Sequence, residues 1–121
     1  MIKKFIKTFL ISHKDLISLR PFPSEKKLFC NLSTELRKEF KELKIENTNK
    51  SLIDTIKNFG AIIHTYDSTS FLETMSLNKP SFLIFSDDIY KNNNRKSSKH
   101  YYNLLRKAKI LHPSHLSLIK F

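Results

Sequence analysis

The chain predicts an α/β fold, a short parallel sheet flanked by helices, on three observations. Short apolar runs alternate along it with segments whose apolar residues recur at helical spacing, the pattern of strand and crossover helix. The run SFLIF (81–85) is apolar without alternation and reads as a strand buried on both faces, and AIIHTY (61–66) reads as a second buried strand. A length of 121 residues suffices for one domain with a modest core but not for two complete ones. One domain over residues 1–121 is therefore expected.

The elements follow in order. In MIKKFIKTFLIS, Ile2, Phe5, Ile6, Phe9 and Leu10 share one helical face with Lys3, Lys4 and Lys7 opposite. That helix either packs on the sheet, the plainer expectation, or lies on an anionic membrane surface. DLISLRPFP, from Asp15 to Pro23, is a short strand closed by prolines. STELRKEFKELK is a helix with Ser33 or Thr34 as cap and Leu36, Phe40 and Leu43 inward, followed by a weak strand near Ile45 and a polar turn. Leu52, Ile53 and Ile56 mark a brief helix that Phe59-Gly60 ends in a left-handed turn. After the AIIHTY strand, SFLETMSLN is a helix with Phe71, Leu72, Met75 and Ser76 inward, stopped by Asn78 and Pro80. Beyond SFLIF comes an exposed loop, SDDIYKNNNRKSSKH, then a helix through Tyr101, Leu104, Leu105 and Ala108, and a last short helix in HPSHLSLIKF.

A net charge of +11 suits an anionic partner: nucleic acid, a membrane surface or a phosphorylated ligand. The signal is diluted, because 18 of the 22 basic residues are lysine and Lys, Asn, Ile and Phe are abundant together, as AT-rich coding produces. Nucleic acid is not the expected partner, although KNNNRKSSKHYYNLLRK mixes cations with two tyrosines that can stack on bases. A single cysteine, Cys30, excludes an internal disulfide and a multi-cysteine zinc site, and reads as a small buried hydrophobe. No run approaches the ~20 apolar residues of a membrane span, and Lys7 interrupts any signal-peptide core. The expected location is the cytoplasm, with peripheral contact at the inner face of the membrane as the variant.

In parallel sheets ligands sit outside the carboxyl ends of the strands. This puts Arg20-Pro21-Phe22-Pro23, Asp67-Ser68-Thr69-Ser70 and Ser86-Asp87-Asp88 on one expected rim. A helix starting straight after a strand aims its free N–H groups at such a rim and receives anions, with Ser68, Thr69 and Ser70 adding hydroxyls. The competing reading is a capping box, Ser70-Phe-Leu-Glu73, in which these residues only close the helix. The lone glycine, Gly60, precedes the strand, so neither a Walker loop nor a dinucleotide fingerprint exists. Arg20, locked by two prolines, either grips phosphate or pairs with a loop carboxylate. Asp87-Asp88 and the pair His112 and His115 lack the further ligands a metal needs, and His64 reads as a core histidine. No catalytic residue, metal or cofactor is assigned.

Taken whole, YDSTSFLETMSLNKPSFLIF resembles the C-terminal signature of a transferase family of bacterial surface-carbohydrate biosynthesis: a Ser-Thr pair, Leu-Glu-(Thr/Ala)-Leu, Asn-(Lys/Ile)-Pro and an apolar strand. LISLRPFP and YYNLLRKAKILHPS are similar to two further elements of that family. Such proteins look like GT-B glycosyltransferases, so the resemblance implies a Rossmann-like three-layer domain akin to the C-terminal half of such an enzyme. It also implies donor phosphate on Ser68, Thr69 and the helix start with help from Arg20, ribose on Glu73, and Asp67 and Asp87 at the rim. The partners implied are a nucleotide-activated sugar and a carbohydrate acceptor. Two positions depart from the family: Met75 stands for Leu, and Lys109 stands where Gly often precedes Ile-Leu-His. An N-terminal acceptor domain is missing from the pattern, so a donor-side domain or truncated product without turnover alone is expected. The alternatives are a basic, non-enzymatic module for nucleic acid or an anionic surface, and a ligand-free remnant of the fold.

Overall fold

The computed structural model describes residues 2–13, 16–22, 32–86, 88 and 95–120. Pro23, Cys30, Asp87 and residues 89–94 of the expected loop lie outside them. The chain divides into two compact units, Met1–Lys57 and Asn58–Phe121. The alternation of elements predicts one sheet; the described residues form two, one of two strands and one of three.

The first unit holds α1 (Ile2–His13), β1 (Ser18–Leu19), α2 (Leu32–Glu39), β2 (Lys44–Ile45) and α3 (Leu52–Ile56). On α1, Phe5 and Ile6 are buried, the face that the apolar spacing marked. Leu36 is fully buried on α2, which stops at Glu39, short of the predicted Lys44. β1 and β2 run parallel, Ser18 beside Lys44 and Leu19 beside Ile45, and the Ser18 hydroxyl donates to Glu46 Oε1 at 2.8 Å. Ser51 caps α3: its Oγ accepts from Asp54 N at 3.0 Å. Ile53 faces solvent, while Thr55 and Ile56 turn inward. Gly60 does not end α3. The helix stops at Ile56 with Lys57 still right-handed, and Gly60 has no positive φ.

The second unit holds β3 (Ile62–His64), α4 (Thr69–Ser76), β4 (Ser81–Ile84), a 3-10 turn at Lys96–Ser98, α5 (Lys99–Lys107), β5 (Leu111–His112) and α6 (His115–Ile119). The strands are parallel in the order β3-β4-β5, with Ile63 beside Phe82 and Leu83 beside Leu111. Leu83 and Ile84 point to opposite faces of β4 and both are buried, as an unalternating strand should be. The core gathers Phe71, Leu83, Phe85, Tyr102, Leu105 and Leu111, with Met75 and Ile110 packed against it.

Two helix faces depart from the predicted ones. On α4 the inward residues are Phe71 and Thr74, three apart, with Met75 half-buried; Leu72 is 53% exposed and Ser76 is also outside. Thr74 is buried at no cost in unpaired groups, because its hydroxyl donates to Phe71 O at 2.9 Å and also meets His64 Nε2. On α5 the inward pair is Tyr102 and Leu105, whereas Tyr101 and Leu104 are exposed. Apolar residues occupy both faces of that helix, so periodicity did not choose between them. Packing did: the Tyr102 ring stacks on Phe85 at 6.0 Å with an interplanar angle of 3°.

Each helix that returns the chain to the sheet ends in the same way. After α4, Asn78 N donates to Met75 O at 3.0 Å and Lys79 N to Thr74 O at 3.1 Å. After α5, Lys109 N donates to Arg106 O at 3.0 Å and Ile110 N to Leu105 O at 2.9 Å. Both are Schellman turns, which need one left-handed residue, supplied by Asn78 (φ 54°) and Lys109 (φ 56°). Asparagine tolerates that region; lysine does so with strain that glycine would not carry. Lys109→Gly should therefore raise the unfolding free energy by about 0.5 kcal/mol, the relief of strain less the extra chain entropy, and Lys109→Val should lower it by about 1 kcal/mol or more. Urea titration followed by far-UV circular dichroism measures both.

Candidate functional site at the carboxyl edge of the three-stranded sheet

Because β3, β4 and β5 are parallel, the segments that follow them emerge at one edge. There lie residues 65–68 ahead of α4, Phe85 and Ser86 after β4, and Pro113 and Ser114 ahead of α6. Asp67, Ser68, Thr69 and Ser70 thus stand where the sequence predicts them, on the turn into α4.

The capping box does not form. The N-cap is Ser68, in extended conformation (φ −145°, ψ 170°), so Ser70 lies inside the first turn and Glu73 is an exposed carboxylate on the second. Ser51 and Ser114 occupy the same extended cap position on α3 and α6, and each accepts a backbone N–H with its hydroxyl, from Asp54 and Ser117. Ser68 makes no such bond. Its carbonyl accepts from Phe71 N at 3.0 Å and Leu72 N at 3.4 Å, and no described contact uses the N–H of Thr69 or Ser70. The start of α4 therefore presents two amides and the hydroxyls of Ser68, Thr69 and Ser70, an arrangement able to receive an anion.

Sequence reasoning missed Tyr102. It lies on α5 and its hydroxyl donates to Asp67 Oδ2, tying the β3–α4 turn to a helix residue 35 positions later in the chain. Burial, reinforced by the Asp67 carboxylate, pushes the phenol up to about 12, so it remains a donor throughout the physiological range. The only available signal was the adjacency of Tyr101 and Tyr102, which the residues themselves could not divide into an exposed and a buried ring.

His64 ends β3 edge-on to Phe71, with ring centroids 5.4 Å apart. Its Nε2 is 2.9 Å from Thr74 Oγ1, whose own proton goes to Phe71 O, so Nε2 carries the hydrogen and donates. Burial pulls its pKa from 6.5 to about 4, and the ring is neutral near pH 7. His112, on β5, and His115, which opens α6, fall on different elements. Among the described residues no group of three or more His, Cys, Asp or Glu converges as metal ligands.

Arg20 belongs to the first unit. Among the described residues it pairs with no carboxylate; its guanidinium holds the β2–α3 loop instead. Nη1 donates to Asn47 O at 3.1 Å and Thr55 Oγ1 at 3.0 Å, and Nη2 to Lys50 O at 2.8 Å. Asp88 is exposed, and its neighbour Asp87 lies outside the described residues.

These features define an α/β protein with short parallel sheets flanked by helices, a layout compatible with Rossmann-like folds, and with a polar turn at the sheet's carboxyl edge. Residues 3–118 match the sequence model described as LIC12162 family transferase, and the chain belongs to that family. No curated protein and no solved structure matches it. No helix among the described residues is long and apolar enough to cross a membrane.

Two outcomes follow from this geometry. Arg20→Ala should destabilise the first unit by about 1–2 kcal/mol in urea unfolding, with Arg20→Lys intermediate, since three carbonyl or hydroxyl acceptors lose a charged donor. For His64 the folded pKa lies below the unfolded one, so the unfolded chain binds the extra proton. Its contribution is fully present above pH 6.5 and is lost as the pH falls towards 4. Discounted for screening at this half-buried ring, the loss is on the order of 1–2 kcal/mol, and His64→Gln should flatten the stability profile over that window by the same amount.

Proposed function

We propose that the chain is the donor-binding part of a glycosyltransferase-like transferase of bacterial surface-polysaccharide biosynthesis and binds a nucleotide-activated sugar. What supports this is membership of a transferase family together with one structural observation: the hydroxyl of Ser68 is not used to cap α4, unlike those of Ser51 and Ser114 in the same position. A donor phosphate accepts hydrogen bonds from the Thr69 and Ser70 amides and from the Ser68 and Thr69 hydroxyls. Charge develops on that phosphate as the sugar–phosphate bond breaks, and donors already aimed at the oxygen stabilise it there more than in the ground state.

Glu73, one turn further along α4, accepts from the ribose hydroxyls. Asp67 carries a charge that opposes a phosphate; with Tyr102 donating to Oδ2, it serves as an oriented acceptor for a sugar hydroxyl through Oδ1.

Isothermal titration of UDP and of CMP, with thermal melting in parallel, tests the reading. Ser68→Ala and Thr69→Val should each weaken nucleotide binding about fivefold, the value of one neutral hydrogen bond. Ser68→Ala should leave the melting temperature unchanged, although loss of a working serine cap ordinarily costs ~1 kcal/mol. Tyr102→Phe and Glu73→Gln should also weaken binding. Absence of any nucleotide response would refute the proposal. Salt-sensitive affinity for a short RNA, indifferent to Ser68→Ala, would instead identify a basic binding module.

A further inference from the structure

The carboxyl edge of the three-stranded sheet carries more than the start of α4. α5 runs from that edge back to the entrance of β5, where Ile110 N donates to Leu105 O, so its first turn, with Tyr101 and Tyr102, stands on the same edge. The bond from the Tyr102 hydroxyl to Asp67 Oδ2 joins the two starts directly. Each partner of that bond has a half-exposed tyrosine as its neighbour in the chain: Tyr66, 46% exposed, next to Asp67, and Tyr101, 44% exposed, next to Tyr102. The rings of Tyr101 and Tyr102 meet edge to face, with centroids 6.2 Å apart and 72° between their planes. Tyr102 is itself stacked on Phe85, so a ladder of three rings leads out of the core and ends in Tyr101.

Packing explains Tyr102 and leaves the rest over. A buried phenol needs one acceptor, and a neutral carbonyl would serve. Asp67 is instead an exposed carboxylate, a group able to accept about four hydrogen bonds, of which the phenol supplies one. A negative charge ahead of α4 suits the helix dipole, which accounts for the charge but not for the aromatic ring nearby. One exposed tyrosine is ordinary. A carboxylate fixed from below with an exposed ring close to it is a pairing that suits a sugar, whose hydroxyls donate to the oxygen while its C–H face lies on the electron-rich face of the ring.

A nucleobase could also stack on Tyr101, and two observations favour the sugar. With Oδ2 held by the phenol, Asp67 lacks the pair of open oxygens that a forked contact with the edge of guanine would use. Asp67 also directly precedes Ser68, and in a nucleotide-activated sugar the groups bonded to the phosphates are sugars, with the base one ring further away.

We propose that the edge between Asp67 and Tyr101 is the subsite for the transferred sugar, and that this sugar is neutral. Asp67 Oδ1 accepts from its hydroxyls, Tyr101 carries its C–H face, and the carboxylate turns away sugars bearing a carboxylate of their own. This names the class of donor and rests on the reading of the α4 start as the phosphate site.

Calorimetry with UDP-glucose and UDP-glucuronate against UDP, and with GDP-mannose against GDP, gives the contribution of each sugar as an affinity ratio to its parent nucleotide. A neutral sugar should raise that ratio above one and glucuronate should lower it. Tyr101→Ala should cut the contribution of the neutral sugar about fivefold, leave the bare nucleotide within about twofold and keep the melting temperature, while Tyr101→Phe should bind as the parent does. Asp67→Asn should act in opposite directions: the bare nucleotide binds about twofold more tightly as a like charge leaves the phosphate, the neutral sugar contributes about fivefold less, and the bias against glucuronate disappears. Leu104→Ala, at a 48% exposed position one turn further along α5, should change neither ratio. Equal loss of nucleotide and nucleotide sugar in the Tyr101 and Asp67 variants, the same loss with Leu104→Ala, or no preference for neutral over acidic sugar overturns the subsite and leaves the donor reading standing. Failure of every nucleotide and nucleotide sugar to bind overturns both.

Discussion

The second unit depends on two helix ends that reverse the chain into parallel strands without help from glycine. A helix that must feed a parallel strand has to stop sharply and satisfy its last carbonyls, and the Schellman turn does both with one left-handed residue. The chain contains a single glycine, and it sits elsewhere. Asn78 and Lys109 therefore take the left-handed positions, and the bonds from Lys79 to Thr74 and from Ile110 to Leu105 place the next residues at the entrance of β4 and β5. Register follows at once, with Leu83 beside both His64 and Leu111, and with it the layer of Phe71, Phe85, Tyr102 and Leu105 that covers the sheet.

That geometry sets what the carboxyl edge can offer. Parallel strands bring every following turn to one side, so the start of α4 opens there rather than against the core. The aromatic stack of Phe85 on Tyr102 then fixes the phenol, and through it Asp67. Packing thereby orients a polar side chain at the edge, while the hydroxyl of Ser68 is left out of the helix cap. In the first unit the same economy runs the other way. Arg20 looks like a ligand-binding cation in the sequence, yet its donors are largely occupied in holding the loop between β2 and α3.

The two concentrations of polar chemistry in the second unit differ in kind. The turn into α4 combines neutral donors with a helix start. A depression beside α6 is lined by Arg106, Lys109 and Lys120 together with His112 and Ser117. Many of the lysines behind the net charge of +11 are exposed, while Lys109 O is held by the buried ring of His112.

Alone, the sequence determined the α/β class, the order of helix and strand, the double-sided burial of 81–85 and the position of the turn at 67–70, because these follow from local periodicity and from where polar residues interrupt apolar runs. Tertiary structure decided the rest. It divided the strands between two sheets, since pairing is a choice among distant partners that no local pattern encodes. It turned Tyr102 rather than Tyr101 inward and Thr74 rather than Leu72, because two candidate faces were separated only by contacts with Phe85, Phe71 and His64. It moved the cap from Ser70 to Ser68, although only Ser70 fits the capping-box motif, and it made a left-handed turn of Lys109, a residue whose own preference runs against that conformation.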